Sequence, residues 1–297
     1  MKTTKDIKRP SRGRLSQAWV ELQEHIQAQA ETGERFAPDS RRLAFADPEF
    51  LLRPETRGIR FDLELLKPEL GLQAAGVRGT IVVFGSARCI APEAARQQLD
   101  QARLSGDAQA LAQAERAVRM SRYYAAARQF AEIAARHNLT RPAAEQLILC
   151  TGGGPGIMEA ANRGAHDAGA PSIGLGITLP REQRFNPYVS PDLTFQFHYF
   201  ALRKMHFMMR ARALVVFPGG FGTLDELFSA LTLVQTGKAR PMPIVLFGTG
   251  YWQRLLRLDL LVEEGAIAPE DLRLVTYADT PQAAWDAIAP AHEPKNV

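Results

Sequence analysis

The residues of this 297-residue chain best able to do chemistry lie in three glycine-bearing turns. They read Phe84-Gly85-Ser86-Ala87-Arg88, then Thr151-Gly152-Gly153-Gly154-Pro155-Gly156-Ile157-Met158-Glu159-Ala160, then Phe217-Pro218-Gly219-Gly220-Phe221-Gly222-Thr223-Leu224-Asp225-Glu226. Each follows a short aliphatic run, and the second and third lead straight into helical patterns. Glycine lets backbone N–H groups turn toward an anion, and the start of a helix adds partial positive charge. A phosphate is the natural occupant. A single turn of this kind is equally explained by the need to reverse the chain, whereas three at corresponding strand ends argue for a shared ligand.

The third turn places a carboxylate close to that phosphate, because Glu226 falls within the first helical turn after the glycines. A carboxylate beside a phosphate weakens binding unless it meets developing positive charge or bonds hydroxyls of the same ligand. A ribose 5′-phosphate supplies both. Asp225 is explained by the helix dipole alone. Upstream, Arg203 and Lys204 interrupt an apolar helical stretch, Phe200 to Arg210. A surface salt bridge accounts for one of these cations, and a pair facing the ligand edge accounts for both. Leu202, Met205, Met208 and Met209 form an apolar stripe suited to a core or a dimer interface.

Other chemistries find little support. Ile157 stands where GxGxxG requires its last glycine, and no GxxxxGK[ST] occurs, so dinucleotide and P-loop chemistry lose ground. HExxH and paired-cysteine spacings are missing, His198 and His206 have no companions at ligand spacing, and no metal or cofactor is expected. Cys89 and Cys150 each end an apolar run and read as buried, inert thiols.

The elements that must position these turns follow from periodicity. Short aliphatic runs at Ile81 to Phe84, Leu147 to Cys150, Ile173 to Ile177, Leu214 to Phe217 and Ile244 to Phe247 alternate with helical patterns. That alternation predicts an α/β fold with a Rossmann-like parallel sheet and helices on both faces. Residues 92 to 138 read as two helices broken near Ser105-Gly106. A helix from about Tyr251 to Glu264, a short strand near Leu272 to Tyr277 and a closing helix after Thr280-Pro281 complete this domain, 79–297. Before it stands a mainly helical extension, 15–78, with an amphipathic helix at 15–34 and an apolar segment, Phe50 to Leu72, interrupted by Pro54 and Pro68.

Composition fits a globular protein, with 46% hydrophobic and 23% charged residues. Six of the 36 basic residues but one of the 32 acidic ones fall in the tail 1–14, leaving 30 against 31 in the body. The surplus charge therefore belongs to a basic tail, and no nucleic-acid face is implied. No apolar run approaches the roughly 18 residues of a membrane span, and no secretory signal is evident, so the default location is the cytoplasm, with no membrane partner.

The nine residues from Pro218 to Glu226 match the PGGxGTxxE motif, and on that basis the chain resembles the LONELY GUY family of cytokinin riboside 5′-monophosphate phosphoribohydrolases, long labelled lysine decarboxylases. The turn from Thr151 to Ala160, followed by Asn162 and Gly164, is similar to the family's other glycine-rich segment, and Arg203-Lys204 to its Arg-Lys pair. The resemblance covers about residues 79 to 250. It implies a homodimer, or a higher assembly of dimers, that cleaves the N-glycosidic bond of a nucleoside 5′-monophosphate such as AMP or N6-modified AMP. Carried over by motif, Arg203 and Glu226 are the catalytic pair, and Gly219, Gly220, Gly222 and Thr223 hold the phosphate. Lys204, Ser86, Arg88, Gly153, Gly154, Met158 and Glu159 would complete the substrate site.

Two other readings remain open at this stage. A related fold carries molybdenum cofactor, so a nucleotide or cofactor carrier without turnover is one. A pyridoxal-phosphate decarboxylase using Lys204 is the other. The extension and the charged helical stretch around 92–118 depart from the shorter family members.

Overall fold

The computed structural model describes residues 43–179 and 184–289. The tail 1–14 and the helix expected over 15–34 lie outside the described residues. The chain divides between Leu70 and Gly71 into two compact units.

In the first unit, the Asp47 carboxylate accepts the Glu49 and Phe50 N–H groups, and Pro48 follows it at the first helical position, which starts the short helix α1 (Pro48–Leu51). Pro54 opens a 3-10 turn, Pro54–Thr56. The buried Thr56 hydroxyl lies 2.9–3.0 Å from the carbonyls of Phe50, Leu51 and Arg53, and so ties the turn to α1. Helix α2 (Arg57–Ala74) follows, its residues 71–74 counted with the second unit, and runs through Pro68 without a break, which corrects the expected interruption there. A proline inside a helix costs about 3 kcal/mol. Burial of the Pro68 ring works against that cost.

The second unit is built on seven parallel strands: β1 (Gly79–Phe84), β2 (Leu147–Thr151), β3 (Ser172–Ile177), β4 (Thr194–Phe197), β5 (Ala211–Val216), β6 (Ile244–Phe247) and β7 (Val275–Ala278). Their order across the sheet is β4-β3-β2-β1-β5-β6-β7. The chain thus winds outward from β1 to β4, then returns to lay β5 on the other side of β1, with Val83 beside Val215. The connections are helices α3 (Pro92–Ser105), α4 (Ala108–Leu139), α5 (Ile157–Asp167), α6 (Phe200–Met209), α7 (Phe221–Gln235), α8 (Thr249–Leu255) and α9 (Leu258–Glu263), and α10 (Pro281–Ile288) closes the unit.

Alternation along the strands sends side chains to two cores. Ile81, Val83, Val215, Phe217, Val245 and Phe247 meet Tyr123, Phe130, Ile157 and Trp285 on one face. Val82, Phe84, Leu214, Val216, Ile244 and Leu246 meet Phe207, Leu227 and Trp252 on the other. Both faces are therefore covered by helices, and the fold is the expected Rossmann-like α/β arrangement. Cys89 and Cys150 are buried free thiols, and loss of water pushes the Cys89 thiol up to about 11. Among the described residues, no helix is long and apolar enough to cross a membrane.

The break between α3 and α4 falls where expected, at Gly106, which adopts a left-handed conformation with φ 69°. Three expectations are corrected. The single helix over 251–264 is two helices, α8 and α9, parted by extended backbone at Leu256. The strand near 272–277 starts later, at Val275, because Pro269–Leu274 winds as a 3-10 helix. Strand β4 was not anticipated.

Candidate active site

In an open parallel sheet, ligands bind where the strand order reverses, at the carboxyl ends of the strands. Here that point lies between β1 and β5, and the turns after these strands are the first and third glycine turns. They are bonded together. The Ser86 N–H donates to the Pro218 carbonyl at 3.0 Å, and the Ser86 carbonyl accepts from the Ile157 N–H at 3.1 Å, so one residue joins all three turns. Gly156, with φ 76°, brings its α-carbon against the Ser86 carbonyl so closely that a side chain there would overlap it. The Ser86 hydroxyl accepts the Arg88 N–H at 3.1 Å, and Arg88 is exposed on the same turn.

The second turn rests on buried polar side chains. The Thr151 hydroxyl donates to Asn162 Oδ1 at 2.7 Å and accepts the Gly153 N–H at 2.9 Å. The Asn186 amide, also buried, lies 3.0 Å from the Gly153 carbonyl, the Gly154 carbonyl and Asn162 Oδ1. Burial without partners would cost these groups heavily, so the network fixes the turn's shape. Met158 lies beside Gly152, at the mouth of α5. Glu159 is held from behind, accepting the Tyr124 hydroxyl of α4 at 2.7 Å.

Gly220 caps α7, and its carbonyl accepts the N–H groups of Thr223 and Leu224. Gly219 packs so tightly on the Thr223 side chain that only glycine fits there, while Gly220 and Gly222 are exposed. The Tyr251 hydroxyl donates to the Gly219 carbonyl at 2.6 Å and pins the loop from the end of β6. Because α7 begins at Phe221, Glu226 belongs to its second turn, which corrects the first-turn expectation: Gly222 is wound into the helix and does not precede it. Its Cα lies about 7.5 Å along the axis from that of Phe221, and helical side chains lean back toward the N-terminus.

Glu226 is 8% exposed, and burial pushes its carboxyl above the ordinary range against the pull of Lys204 and Arg203. Arg203 stands in the first turn of α6. Its Nε donates to the Leu175 carbonyl of β3 at 2.7 Å, and its guanidinium lies 5.2 Å from the centre of the Phe207 ring. Burial lowers its proton affinity, and the Glu226 charge opposes that lowering. Lys204 points to α7, where its Nζ lies 2.8 Å from both Asp225 Oδ1 and the Ser229 hydroxyl. Asp225, which lies beyond the first turn of α7, is therefore an ion-pair partner rather than a helix-terminal charge.

Arg203 shares a small cavity of about 30 Å³ with Gly152, Gly153, Gly154 and Met158. Gly176, Ile177, Arg184, Phe185 and Gln196 complete the cavity; as site residues they were not anticipated from the sequence, nor were Asn186 and Tyr251. The Phe185 ring packs on Gly153, Gly174 and Gly176, three positions without side chains. The apolar stripe on α6 divides: Leu202 and Met208 pack on the core, while Met205 and Met209 are exposed.

The profile of a family described as "Possible lysine decarboxylase" matches residues 158–288. Over 153 residues the chain is 31% identical to cytokinin riboside 5′-monophosphate phosphoribohydrolase LOG3 of Arabidopsis thaliana, spanning 49% of this chain and 69% of that protein. It is 30% identical over 158 residues to the probable cytokinin riboside 5′-monophosphate phosphoribohydrolase LOGL2 of Oryza sativa subsp. japonica, spanning 50% of this chain and 63% of that one. Among solved structures, the Moco carrier protein of Chlamydomonas reinhardtii aligns with a TM-score of 0.44 at 19% identity, over 72% of this chain and 98% of its own. With its three joined turns, its half-buried Arg203, its buried Glu226 and its 31% identity to LOG3 over 69% of that protein's length, the chain belongs to the LONELY GUY family.

Proposed function

We propose that this chain hydrolyses the N-glycosidic bond of a nucleoside 5′-monophosphate, AMP or an N6-modified AMP such as a cytokinin riboside 5′-monophosphate. The products are the free base and ribose 5-phosphate. The observation that carries this reading is the placement of Glu226, a buried carboxylate on the helix that begins directly after Gly219 and Gly220 and within the field of Arg203. The names of the relatives, at about 30% identity, support the same reaction class.

The chemistry follows from charge. Breaking the C1′–N bond sends the electron pair to the base and leaves the sugar carbon electron-poor, so a fixed carboxylate near that carbon stabilises the transition state more than the ground state. Water attacks C1′ as the C1′–N bond breaks; the proton it loses is taken up by Glu226, and the departing base nitrogen, which keeps the bond's electron pair, gains one in return, giving free base and ribose 5-phosphate. Glu226, whose proton affinity is raised by burial, is suited to orient that water or to bond the ribose hydroxyls. The loop N–H groups around Gly220 and Gly222 hold the phosphate. Arg203 opposes the charge developing on the departing base or secures the phosphate. Ser86 and Arg88, on the joined first turn, flank the sugar-phosphate, with Gly153, Gly154, Met158 and Glu159 on the far side.

A decarboxylase would need a lysine able to form an imine with pyridoxal phosphate. Lys204 is held by Asp225 and Ser229, which disfavours that role. The proposal includes a homodimer. The clamp by Lys204 fastens α6 to α7, and both helices expose apolar side chains, among them Met205, Met209, Phe228 and the 92% exposed Phe221. Such side chains favour a partner over water.

The test is release of adenine and ribose 5-phosphate from AMP by pure protein. Failure to release base from AMP, its N6-prenylated form, GMP, CMP or UMP at about 1 mM, the upper end of ordinary KM values, overturns the reading. Light scattering that finds only monomer overturns the dimer.

A further inference from the structure

We propose a second anion site, for a small phosphate-bearing anion, at the amino-terminal edge of the sheet, opposite the three glycine turns. β2, β1 and β5 are neighbours in the sheet, and each brings one arginine to this edge. Arg78 immediately precedes β1, Arg141 lies in the turn between α4 and β2, and Arg212 is the second residue of β5. With Glu145 and Gln146 they line a cavity of about 310 Å³.

Arg212 reaches that cavity through an irregularity in the sheet. Thr80 pairs with Ala211 and Ile81 with Ala213, so Arg212 is the extra residue of a bulge. Bulges re-aim side chains. The Arg212 stem lies across Gly79, with Cγ 3.0 Å from the position a β-carbon on residue 79 would take. The backbone around it is tied down, since the Thr80 N–H donates to the Arg210 carbonyl at 2.8 Å and Arg210 Nε donates to the Val77 carbonyl at 3.2 Å.

The charges of this cavity do not balance. Arg141 pairs with Glu145 at 3.2 Å, and the Arg141 carbonyl accepts Gln146 Nε2 at 3.0 Å. Arg78 and Arg212 have no acidic partner among the described residues, so the lining holds three guanidinium groups against one carboxylate. Arginines gathered this way repel one another, and the planar forks of guanidinium groups match phosphate oxygens in pairs. The cavity has room for a pyrophosphate-sized group. Its position across the sheet from Glu226 separates it from the catalytic crevice.

The test uses the full chain and inorganic pyrophosphate as probe, in low salt, followed by calorimetry. The site predicts saturable binding that weakens about tenfold or more when Arg78→Gln and Arg212→Gln are combined, since each removes a charge-assisted contact. Arg212→Lys retains part of it. Binding at the catalytic loops is told apart by AMP, which competes there and leaves the arginine site open. Should the double variant fail to fold, Arg78→Gln alone is read, because Arg78 is exposed. No binding at about 1 mM pyrophosphate, a threshold of roughly 4 kcal/mol, overturns the proposal. So does binding fully displaced by AMP, or unchanged in the variants. The AMP arm rests on the proposed function, whereas the 1 mM threshold and the comparison of variants do not depend on whether the chain binds or hydrolyses nucleotides.

Discussion

Arg203 occupies the space that a side chain on residue 152 would need: its Nη2 lies 2.5 Å from the position of a β-carbon there, and Met158 Sδ lies 2.7 Å away. The glycine of the second turn thus leaves room for the guanidinium offered by α6. Both obstructing atoms are ends of flexible side chains, so a methyl group at 152 displaces them without disturbing the core. Gly152→Ala is therefore expected to leave the melting temperature almost unchanged and to lower kcat/KM about tenfold or more, as a misplaced catalytic group does. Parallel thermal melts and AMP hydrolysis check it. A loss of stability with full activity would show that Arg203 does not need this position.

Glu226 gives a prediction with two readouts of opposite sign. The unfolded chain releases this proton near 4.5, and the folded protein holds it to higher pH because the carboxyl is buried. Between those two values the native state binds more protons than the unfolded one, so stability falls as pH rises through the window, and the deficit persists above it. Glu226→Gln removes the deficit. The variant is expected to melt above the wild type at neutral pH and to match it below pH 4.5. Its kcat should drop by about 10²–10³ with KM little changed, the pattern of a group acting in the transition state. Wild-type turnover should rise with pH across the same window. Melting curves and initial rates across pH test both arms.

Asn186 has a structural task. Its amide group has two hydrogens to share among three acceptors, and its Oδ1 accepts the Tyr188 N–H at 3.1 Å. Asn186→Ala leaves the Gly153 and Gly154 carbonyls without this donor, and is expected to cost about 2–3 kcal/mol. Denaturant unfolding measures that loss. Asn186→Asp should be worse at neutral pH than in acid, because its charge would face three oxygen acceptors.

These cases also mark what sequence reading can reach. The five aliphatic runs were recognisable as strands because a sheet buried on both faces needs continuous apolar sequence, as in Ile81 to Phe84. β4, with four residues and only Phe197 buried, lies at the sheet's edge and carries no such run. Gly106 announces its helix break, whereas the break at Leu256 and Arg257 has neither glycine nor proline to mark it. The site divides in the same way. Gly152, Gly219 and Glu226 belong to local patterns, and a local pattern is visible in a single chain. Asn186 matters only because it reaches the Gly153 turn, 33 positions away in sequence. Tyr251 reaches Gly219 because β6 lies beside β5, a neighbour relation settled by long-range strand pairing.

Phe185 offers a prediction about substrate range that rests on the proposed reaction. Its ring packs on Gly153, Gly174 and Gly176 and borders the small cavity beside Arg203. A cavity of about 30 Å³ has room for little more than a water molecule. An adenine carrying an N6 substituent on this side needs the space the ring fills. Phe185→Ala is expected to raise the ratio of kcat/KM for N6-prenylated AMP over AMP by about tenfold, the scale of gain from a few buried methylene groups. Removing a partly buried aromatic ring also costs stability, about 1–3 kcal/mol, so both substrates are measured on the same variant preparation and the ratio is read rather than either rate. An unchanged ratio would place the base elsewhere in the crevice, away from Phe185.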